Sequence, residues 1–460
     1  MTATPAHADR TSWHVTASGD VAATDNVFAT TRDANESDVF FTVRPGVLFG
    51  YDAPKMIHDI NLESEVLTYV LHTEKPSVSM RTGIRSYFVT GKYSSIITQI
   101  NASNGVLTAL TARNSPDQTG PVVTPLGRLD TQQADASEYF TYNTGRDVRL
   151  SQTLFGRASR SDDNADTASM GALMPTIVKS AEVGAALGFE KDFRNDTVNL
   201  EAGASVLRLE RDADPSALQG PRLDRQLNPR ARLQWRHDFS RRWSGVADGG
   251  AVYVHPFGKD PDNPDAKLHD GIFPIAGVTL AFSEVWGRAA FQARRDVTPN
   301  LFVAQNTVND QGVLTLAMPL PWLDESNLRQ PKLVGLGSIG IVRTQLIDPE
   351  TGDLASSFVA GRLDVGVGYS PRPGFTYGIR YEFIYQTGDD QAVMAIPGFW
   401  RNTLSFTFAI RYPDRVVAQV PKRRTGSVRA DGKDLVPIGV DPVTTDFVQE
   451  QDESDESTDR

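Results

Sequence analysis

The stretch NTLSFTFAIRY, residues 402–412, alternates between apolar and polar side chains almost without a fault. One parity carries Leu404, Phe406, Phe408, Ile410 and Tyr412, and the other carries Thr403, Ser405, Thr407, Ala409 and Arg411. Successive side chains of a β-strand point to opposite faces of a sheet, whereas a helix repeats every 3.6 residues. The stretch therefore predicts a strand with one apolar face and one polar face.

The same period of two runs through most of the chain. It is clear in FTYGIRYEFIY at 375–385 and in PRARLQWRHDF at 229–239. Read along the whole sequence, the pattern predicts eighteen strands between residues 11 and 412. No apolar run approaches the roughly 18 residues that a membrane-spanning helix requires.

The predicted connections fall into two populations that alternate along the chain. Short turns are expected near 89–91, 144–145, 193–195, 240–242, 283–284 and 371–374. Longer polar loops are expected at 111–135, 159–175, 211–225, 257–271, 297–310 and 388–401. Transmembrane barrels have short turns at one end and long loops at the other, whereas a soluble sandwich has no reason to keep that order. Two connections depart from it, a short one at 73–76 and a long one at 320–332.

We therefore predict an all-β chain that forms a transmembrane antiparallel up-and-down β-barrel of about 18 strands over residues 11–412. Aromatic residues mark the predicted strand ends, as the interfacial girdles of outer-membrane barrels do. These residues are Phe239 and Trp243, Tyr369 and Phe375, and Phe399, Trp400 and Tyr412. The pattern indicates the bacterial outer membrane, with membrane lipid as a partner and both termini in the periplasm.

The two ends of the chain differ from the barrel region. Ala6-His7-Ala8 has the small-x-small form of a signal cleavage site, so we expect residues 1–10 to be an N-terminal remnant. Residues 413–460 have few aromatics and close on acidic side chains, so we expect a disordered periplasmic tail. This tail is either an inert extension or a tether to a periplasmic partner or to peptidoglycan.

Composition excludes several classes of function. The chain has no Cys, which rules out disulfides, thiolate metal sites and a cysteine nucleophile. Its net charge of −11 argues against nucleic acid as a partner. No Gly-rich phosphate loop follows a strand and opens a helix, so nucleotide binding has no support. We expect no cofactor.

Catalytic and metal-binding signals are weak. His72, His255 and His269 lie near the predicted loop rim, but none has a convincing catalytic partner at motif spacing. The loop KDPDNPDAKLHD lacks the Gly and the closing Glu of an EF-hand, although it offers Asp260, Asp262, Asn263 and Asp265 as oxygen ligands. We therefore expect neither an enzyme nor a metal site.

Parity places many charged residues on the face that lines the barrel interior. The candidate lumen-lining residues are Glu63, Glu65, Arg81, Arg85, Arg230, Arg232, Arg236, Asp238, Arg288, Arg294, Arg362, Asp364, Arg380 and Glu382. Barrels of 16 to 18 strands leave an aqueous channel. Two interpretations stay open: opposite charges brace the wall, or basic strips guide an anionic or polyhydroxylated solute.

Three segments resemble the outer-membrane β-barrels of polysaccharide secretion, in particular the Wzp type of myxobacteria. They are VTASGDVAATDNVF at 15–28, NASNGVLTALT at 101–111 and TPNLFVAQNT at 298–307. The resemblance implies an outer-membrane pore to which a periplasmic export protein delivers a secreted or capsular polysaccharide. It implies no catalytic residues, and it does not extend to the tail after Tyr412.

The sequence thus supports export of a polysaccharide through the barrel as the first hypothesis. The alternative is a general diffusion porin or a structural outer-membrane barrel. An outer-membrane hydrolase is a third class, for which no nucleophile and base occur at workable spacing.

Overall fold

The computed structural model describes residues 10–27, 35–72, 76–107, 129–144, 147–163, 177–211, 222–257, 270–284, 286–300, 305–320, 332–347, 354–372, 374–388 and 398–412. These residues contain strands and their connections, and none of them forms a helix that is long and apolar enough to span a membrane. The expected remnant over residues 1–10 lies outside this part of the chain except for Arg10, which begins the first strand, and the expected tail after residue 412 lies outside it.

Eighteen strands form a single sheet. They are β1 (Arg10–Thr24), β2 (Asp38–Ala53), β3 (Met56–Tyr69), β4 (Ser77–Val89), β5 (Ser94–Leu107), β6 (Leu129–Asn143), β7 (Val148–Asp163), β8 (Ile177–Asp192), β9 (Asp196–Arg211), β10 (Arg222–Asp238), β11 (Trp243–Pro256), β12 (Gly271–Glu284), β13 (Gly287–Asn300), β14 (Gln305–Pro319), β15 (Leu333–Ile347), β16 (Leu354–Arg372), β17 (Phe375–Gln386) and β18 (Phe399–Tyr412).

Each strand pairs antiparallel with its neighbours in the chain, and β1 pairs with β18 to close the barrel. The closing register places Gly19 opposite Phe408 and Val21 opposite Phe406. A closed barrel leaves no unpaired sheet edge, which is the condition for strands to cross a membrane. The prediction of an all-β, 18-stranded antiparallel barrel is confirmed.

The two ends of the barrel differ in the length of their connections. At the end where β1 begins and β18 finishes, here called the turn end, two to four residues join the strands, except at 320–332 between β14 and β15. The turn at 373–374 uses Gly374 at φ 73°, a backbone conformation that a residue without Cβ adopts readily. At the opposite end, the loop end, the connections contain four to 21 residues.

The outer face of the wall is apolar. On β18 the exposed side chains are those of one parity, and Leu404, Phe406 and Tyr412 are 56%, 48% and 75% exposed. Thr403 and Ser405, on the other parity, are buried. A band of exposed, large apolar side chains is stable against acyl chains and unstable in water. The barrel is therefore a transmembrane one.

Aromatic side chains concentrate on the outer face at the turn end. Ring centroids of Trp243 and Phe282 lie 4.9 Å apart, and those of Trp13 and Phe49 lie 4.6 Å apart. Phe399 departs from the prediction, because its side chain is buried on the inner parity of β18, where Ile384 packs against it.

Several strands are longer than the apolar pattern indicates. The expected loop over 297–310 is wrong, since β13 continues to Asn300 and β14 begins at Gln305. The expected loop over 111–135 is also too long, because β6 begins at Leu129. In these parts polar side chains occupy both faces, so alternation is lost although the backbone ladder continues.

Candidate functional site

The inner face of the wall is the candidate functional site. It carries the polar parity of each strand, and the register decides which side chains of neighbouring strands meet there. The predicted lumen-lining residues all lie on this parity. Most of them form ion pairs with a neighbouring strand or with a residue two positions away.

The first cluster of inner charges joins β1, β2 and β3. The guanidinium of Arg44 contacts both Asp20, at 2.7 Å between Nη1 and Oδ1, and Glu65, at 2.5 Å between Nε and Oε2. The Glu65 side chain is only 5% exposed. A buried carboxylate without its cation would be costly, so Arg44 holds Glu65 in place.

The second cluster joins β16, β17 and β18. Arg380 donates from Nε to both carboxylate oxygens of Asp364, at 2.5 and 2.7 Å. Arg362 contacts Glu382 at 2.6 Å between Nη2 and Oε2. Arg401 lies 3.5 Å from the other oxygen of Glu382 and is 1% exposed.

These two clusters belong to one arc of the wall, because β18 pairs with β1. We call this set of residues the charged arc: Asp20, Arg44, Glu65, Arg362, Asp364, Arg380, Glu382 and Arg401. Four cations face four carboxylates, so the arc has no net charge. Thr403, Ser405 and Thr407 on β18 place hydroxyl groups between its two halves.

The charged side chains on the opposite part of the wall, on β9–β11, also form ion pairs. On β10, Arg230 lies 3.5 Å from Glu201, and its guanidinium carbon is 5.8 Å from the centre of the Phe155 ring. Arg232 contacts Asp248 at 2.6 Å. The basic strip of β10 is thus largely neutralised by β9 and β11.

Most of the remaining predicted residues also lie beside an opposite charge. Arg236 lies 3.6 Å from Asp238 on the same strand, and Arg294 contacts Asp296. Register places Glu63 opposite Arg81 and Asp59 opposite Arg85 on β3 and β4. Arg288 lies on β13, between Ser283 and Ala317 of the adjacent strands.

Sequence reasoning missed several inner charges. Arg44, Arg401, Asp20 and Asp248 were not among the predicted residues, although the parity of their strands places each on the inner face. Val39, Phe41 and Val43 alternate on the outward parity of β2, so the spacing already placed Arg44 on the inner face.

The loop end of β13 and β14 bends into the barrel. The ladder between β12 and β13 begins only at Ala276 and Arg295, so residues 271–275 of β12 have no partner on β13. Asn306 of β14 donates a hydrogen bond to Gln226 of β10. Because adjacent strands lie about 4.8 Å apart, four steps along the wall separate β14 from β10 by roughly 19 Å. The hairpin therefore crosses in front of the inner face.

A small apolar core holds this inward hairpin, residues 296–300 and 305–308. Val308 is fully buried against Val252 and Val254 of β11 and Phe273 of β12. A polar network fixes its base, where Asn309 donates to Thr298 at 2.6 Å and accepts from Thr344 at 2.7 Å. The hairpin narrows the lumen beside β10–β12.

The two rim histidines within the described residues, His72 and His255, each contact a carboxylate. Nδ1 of His72 is 2.7 Å from Asp38 and Nε2 is 2.7 Å from Glu36, so both ring nitrogens contact carboxylates. The hydrogen bond to Asp38 raises the pKa of the His72 imidazole. His255 contacts Asp270 at 2.9 Å on the outer parity. A serine nucleophile needs a histidine ring nitrogen that accepts its proton. Both ring nitrogens of His72 contact carboxylates, so neither faces a serine.

No cluster of three or more His, Asp or Glu side chains with metal-binding geometry occurs in the described ranges. The candidate calcium ligands Asp260, Asp262, Asn263 and Asp265, together with His269, lie outside those ranges.

No protein-family model matches the chain, and no curated protein matches it. Among solved structures, the Acinetobacter baumannii protein OccAB3 is similar at 9% identity and a TM-score of 0.45, covering 87% of this chain and 99% of that one. The outer membrane protein OpdK of Pseudomonas aeruginosa is similar at 8% identity and a TM-score of 0.44, with 87% and 99% covered. The ferric-catecholate import receptor Fiu of Escherichia coli is similar at 9% identity and a TM-score of 0.46, with 87% and 82% covered.

Proposed function

We propose that this chain forms an aqueous pore through the bacterial outer membrane. The observation that carries the proposal is a closed wall of eighteen strands whose outer parity is apolar and whose inner parity is polar. A barrel of this size encloses a channel wide enough for hydrated solutes.

The lining supports an uncharged, polyhydroxylated solute better than a simple ion. The charged arc carries equal numbers of cations and carboxylates, and the hydroxyls of Thr403, Ser405 and Thr407 lie within it. Paired charges create no strong field that would hold an ion, and the more exposed cations of the arc, Arg44 and Arg362 at 17% and 20%, remain able to donate to sugar hydroxyls.

The finer proposal is that the solute is a secreted or capsular polysaccharide that a periplasmic export protein delivers to the barrel. The resemblance of 15–28, 101–111 and 298–307 to polysaccharide-secretion barrels supports it. The segment 298–307 includes the described ends of the inward hairpin, so a polymer in the lumen would meet this element.

The second candidate is a general diffusion porin. The inward hairpin supports it, because an element that narrows a wide barrel is what limits passage to small hydrophilic solutes. The two candidates share the pore and differ in the cargo.

Two measurements test the proposals separately. Purified protein in planar bilayers should give stable ion-conducting steps, and a barrel that never conducts would defeat the pore itself. Deleting the gene should then remove or reduce the surface polysaccharide, with the wild-type gene supplied in trans as control. Conductance together with unchanged polysaccharide would defeat export and favour the diffusion porin.

A further inference from the structure

A cluster of basic side chains lies on the outer face of β7–β10 near the loop end. The outer basic cluster consists of Arg160, Lys179, Arg208 and Arg225. Each residue has the outward parity of its strand, two positions from an outward small or apolar residue such as Val206 or Leu227. The side chain of Arg208 is 53% exposed and that of Lys179 is 40% exposed.

The register brings like charges together. Arg160 is directly opposite Lys179, and Arg208 is directly opposite Arg225. Glu210 contacts Lys179 at 3.6 Å and Arg208 at 2.7 Å.

Asp130 borders the cluster on β6, diagonal to Arg160. Among the side chains that the structure describes, the carboxylates of Glu210 and Asp130 thus lie beside the four cations of the cluster. Like charges directly opposite each other on a sheet destabilise it unless an anion lies among them.

The depth of the cluster matches a lipid headgroup region. On β10, Arg225 is ten residues from the outward Trp235, and on β8, Lys179 is ten residues from the outward Phe189. A transmembrane strand crosses the hydrocarbon layer in about 9–11 residues. Since Trp235 and Phe189 lie toward the aromatic turn end, the basic cluster lies where the opposite leaflet begins.

Two further outer arginines near the loop end, Arg295 and Arg343, lie on either side of Asp310 across β13–β15. At the same ten-residue distance from the turn-end aromatics Tyr51 and Phe375, β2 and β17 present Phe41 and Tyr385 on the outer face. Four basic side chains grouped on β7–β10 indicate a local binding site, because a general preference for headgroups would distribute such residues evenly around the wall.

We propose that the outer basic cluster binds the phosphate groups of a membrane lipid, with the acyl chains lying on the apolar wall beside it. Arginine guanidinium groups suit phosphate because they donate paired hydrogen bonds. Val183 and Val206, which are 67% and 47% exposed, continue the site into the hydrocarbon layer. This continuity favours a lipid over free phosphate, and four cations favour a lipid with two phosphates over one with a single phosphate.

The test compares lipid retention by purified full-length barrels in nanodiscs of phosphatidylcholine doped with bisphosphorylated lipid A. The double variant Arg208→Gln/Arg225→Gln should retain roughly tenfold less lipid A per barrel than the wild type. The control variant Arg295→Gln/Arg343→Gln removes two outer arginines near the loop end of β13 and β15, and it should retain as much as the wild type.

Three outcomes would overturn the proposal. Equal retention by the two double variants would show that these side chains do not bind the lipid. Equal retention of dephosphorylated lipid A would show that phosphate is not recognised. Release of the lipid by millimolar inorganic phosphate alone would assign the cluster to free phosphate. A heat-modifiability gel on each variant verifies that the barrel is folded, so that a loss of retention reports on binding.

Discussion

At the residue scale, the inner wall of β16–β18 contains charged side chains that water barely reaches. Glu382 lies between two arginines, with Arg362 at 2.6 Å and Arg401 at 3.5 Å, and Arg401 is 1% exposed. Removing an ion from water costs several kcal/mol unless a partner of opposite charge and hydrogen bonds compensate. These residues therefore depend on one another more than exposed pairs do.

We expect Glu382→Ala to lower the free energy of unfolding by about 3–5 kcal/mol, because the change removes the carboxylate that Arg362 and the buried Arg401 share. The matched control is Glu201→Ala, whose pair with Arg230 has side chains 27% and 44% exposed. The control should cost about 0–1 kcal/mol. Urea unfolding of each variant in lipid vesicles, followed by tryptophan fluorescence, measures both. Equal losses would contradict the burial argument.

His72 should make the loop end sensitive to pH. Its hydrogen bond to Asp38 raises the folded-state pKa above the ordinary value of 6.5. The stabilisation is then fully present below about pH 6.5 and is lost as the pH rises through the raised pKa. Thermal unfolding of the wild type should therefore fall in midpoint from pH 6 to pH 8.5 by more than that of His72→Gln. If the unfolding midpoints of the wild type and of His72→Gln fell by the same amount over this pH range, the titration of His72 would not contribute to stability.

At the element scale, the inward hairpin is a feature of the described residues that distinguishes this lumen from an open cylinder. The ladder between β12 and β13 ends at the pair Ala276 and Arg295. Beyond it, Asn306 of β14 donates a hydrogen bond to Gln226 of β10. Both amide side chains are buried, so each needs the other as a hydrogen-bond partner.

Asn306→Ala should widen the pore. The change leaves the buried amide of Gln226 without this partner at a cost of about 1–3 kcal/mol, which shifts the hairpin away from the inner face. Single-channel conductance in planar bilayers should rise relative to the wild type. Gln132→Ala, on the outer face of β6, should leave the conductance unchanged. A conductance equal to that of the wild type in Asn306→Ala would show that the hairpin does not limit the pore.

Periodicity predicted these elements well where one face meets lipid and poorly elsewhere. β17 and β18 alternate throughout and were predicted nearly to their ends. The first part of β14, Gln305–Asp310, is mostly polar on both faces, so it resembles a loop in the sequence. It is a strand because backbone pairing with β13 and β15 does not depend on the side chains.

At the scale of the whole molecule, the charges of the inner wall are paired, and in the proposed pore this pairing would set the selectivity. Arg232 lies 2.6 Å from Asp248, and the basic strip of β10 has acidic partners on its neighbours. Interspersed charges of opposite sign largely cancel at distances beyond a Debye length, about 8 Å at physiological salt.

We expect the wild-type pore to discriminate weakly between potassium and chloride. Asp248→Asn should shift the reversal potential toward anion selectivity, because Arg232 then faces the lumen without its carboxylate. Reversal potentials under a potassium chloride gradient measure this change. The control is Asp52→Asn at the turn end of β2, which also removes one negative charge. An unchanged reversal potential in Asp248→Asn would show that ions do not pass this part of the wall.

The sequence by itself determined the number of strands, the identity of the lipid-facing parity and, except at 297–310, the order of short and long connections. Each of these follows from local rules, since alternation and turn length are properties of neighbouring residues. Only the tertiary structure decided which charges meet and where the lumen narrows. Asn306 and Gln226 are 80 residues apart in the chain. Their contact depends on the closed register and on the bend of one hairpin, which no period in the sequence encodes.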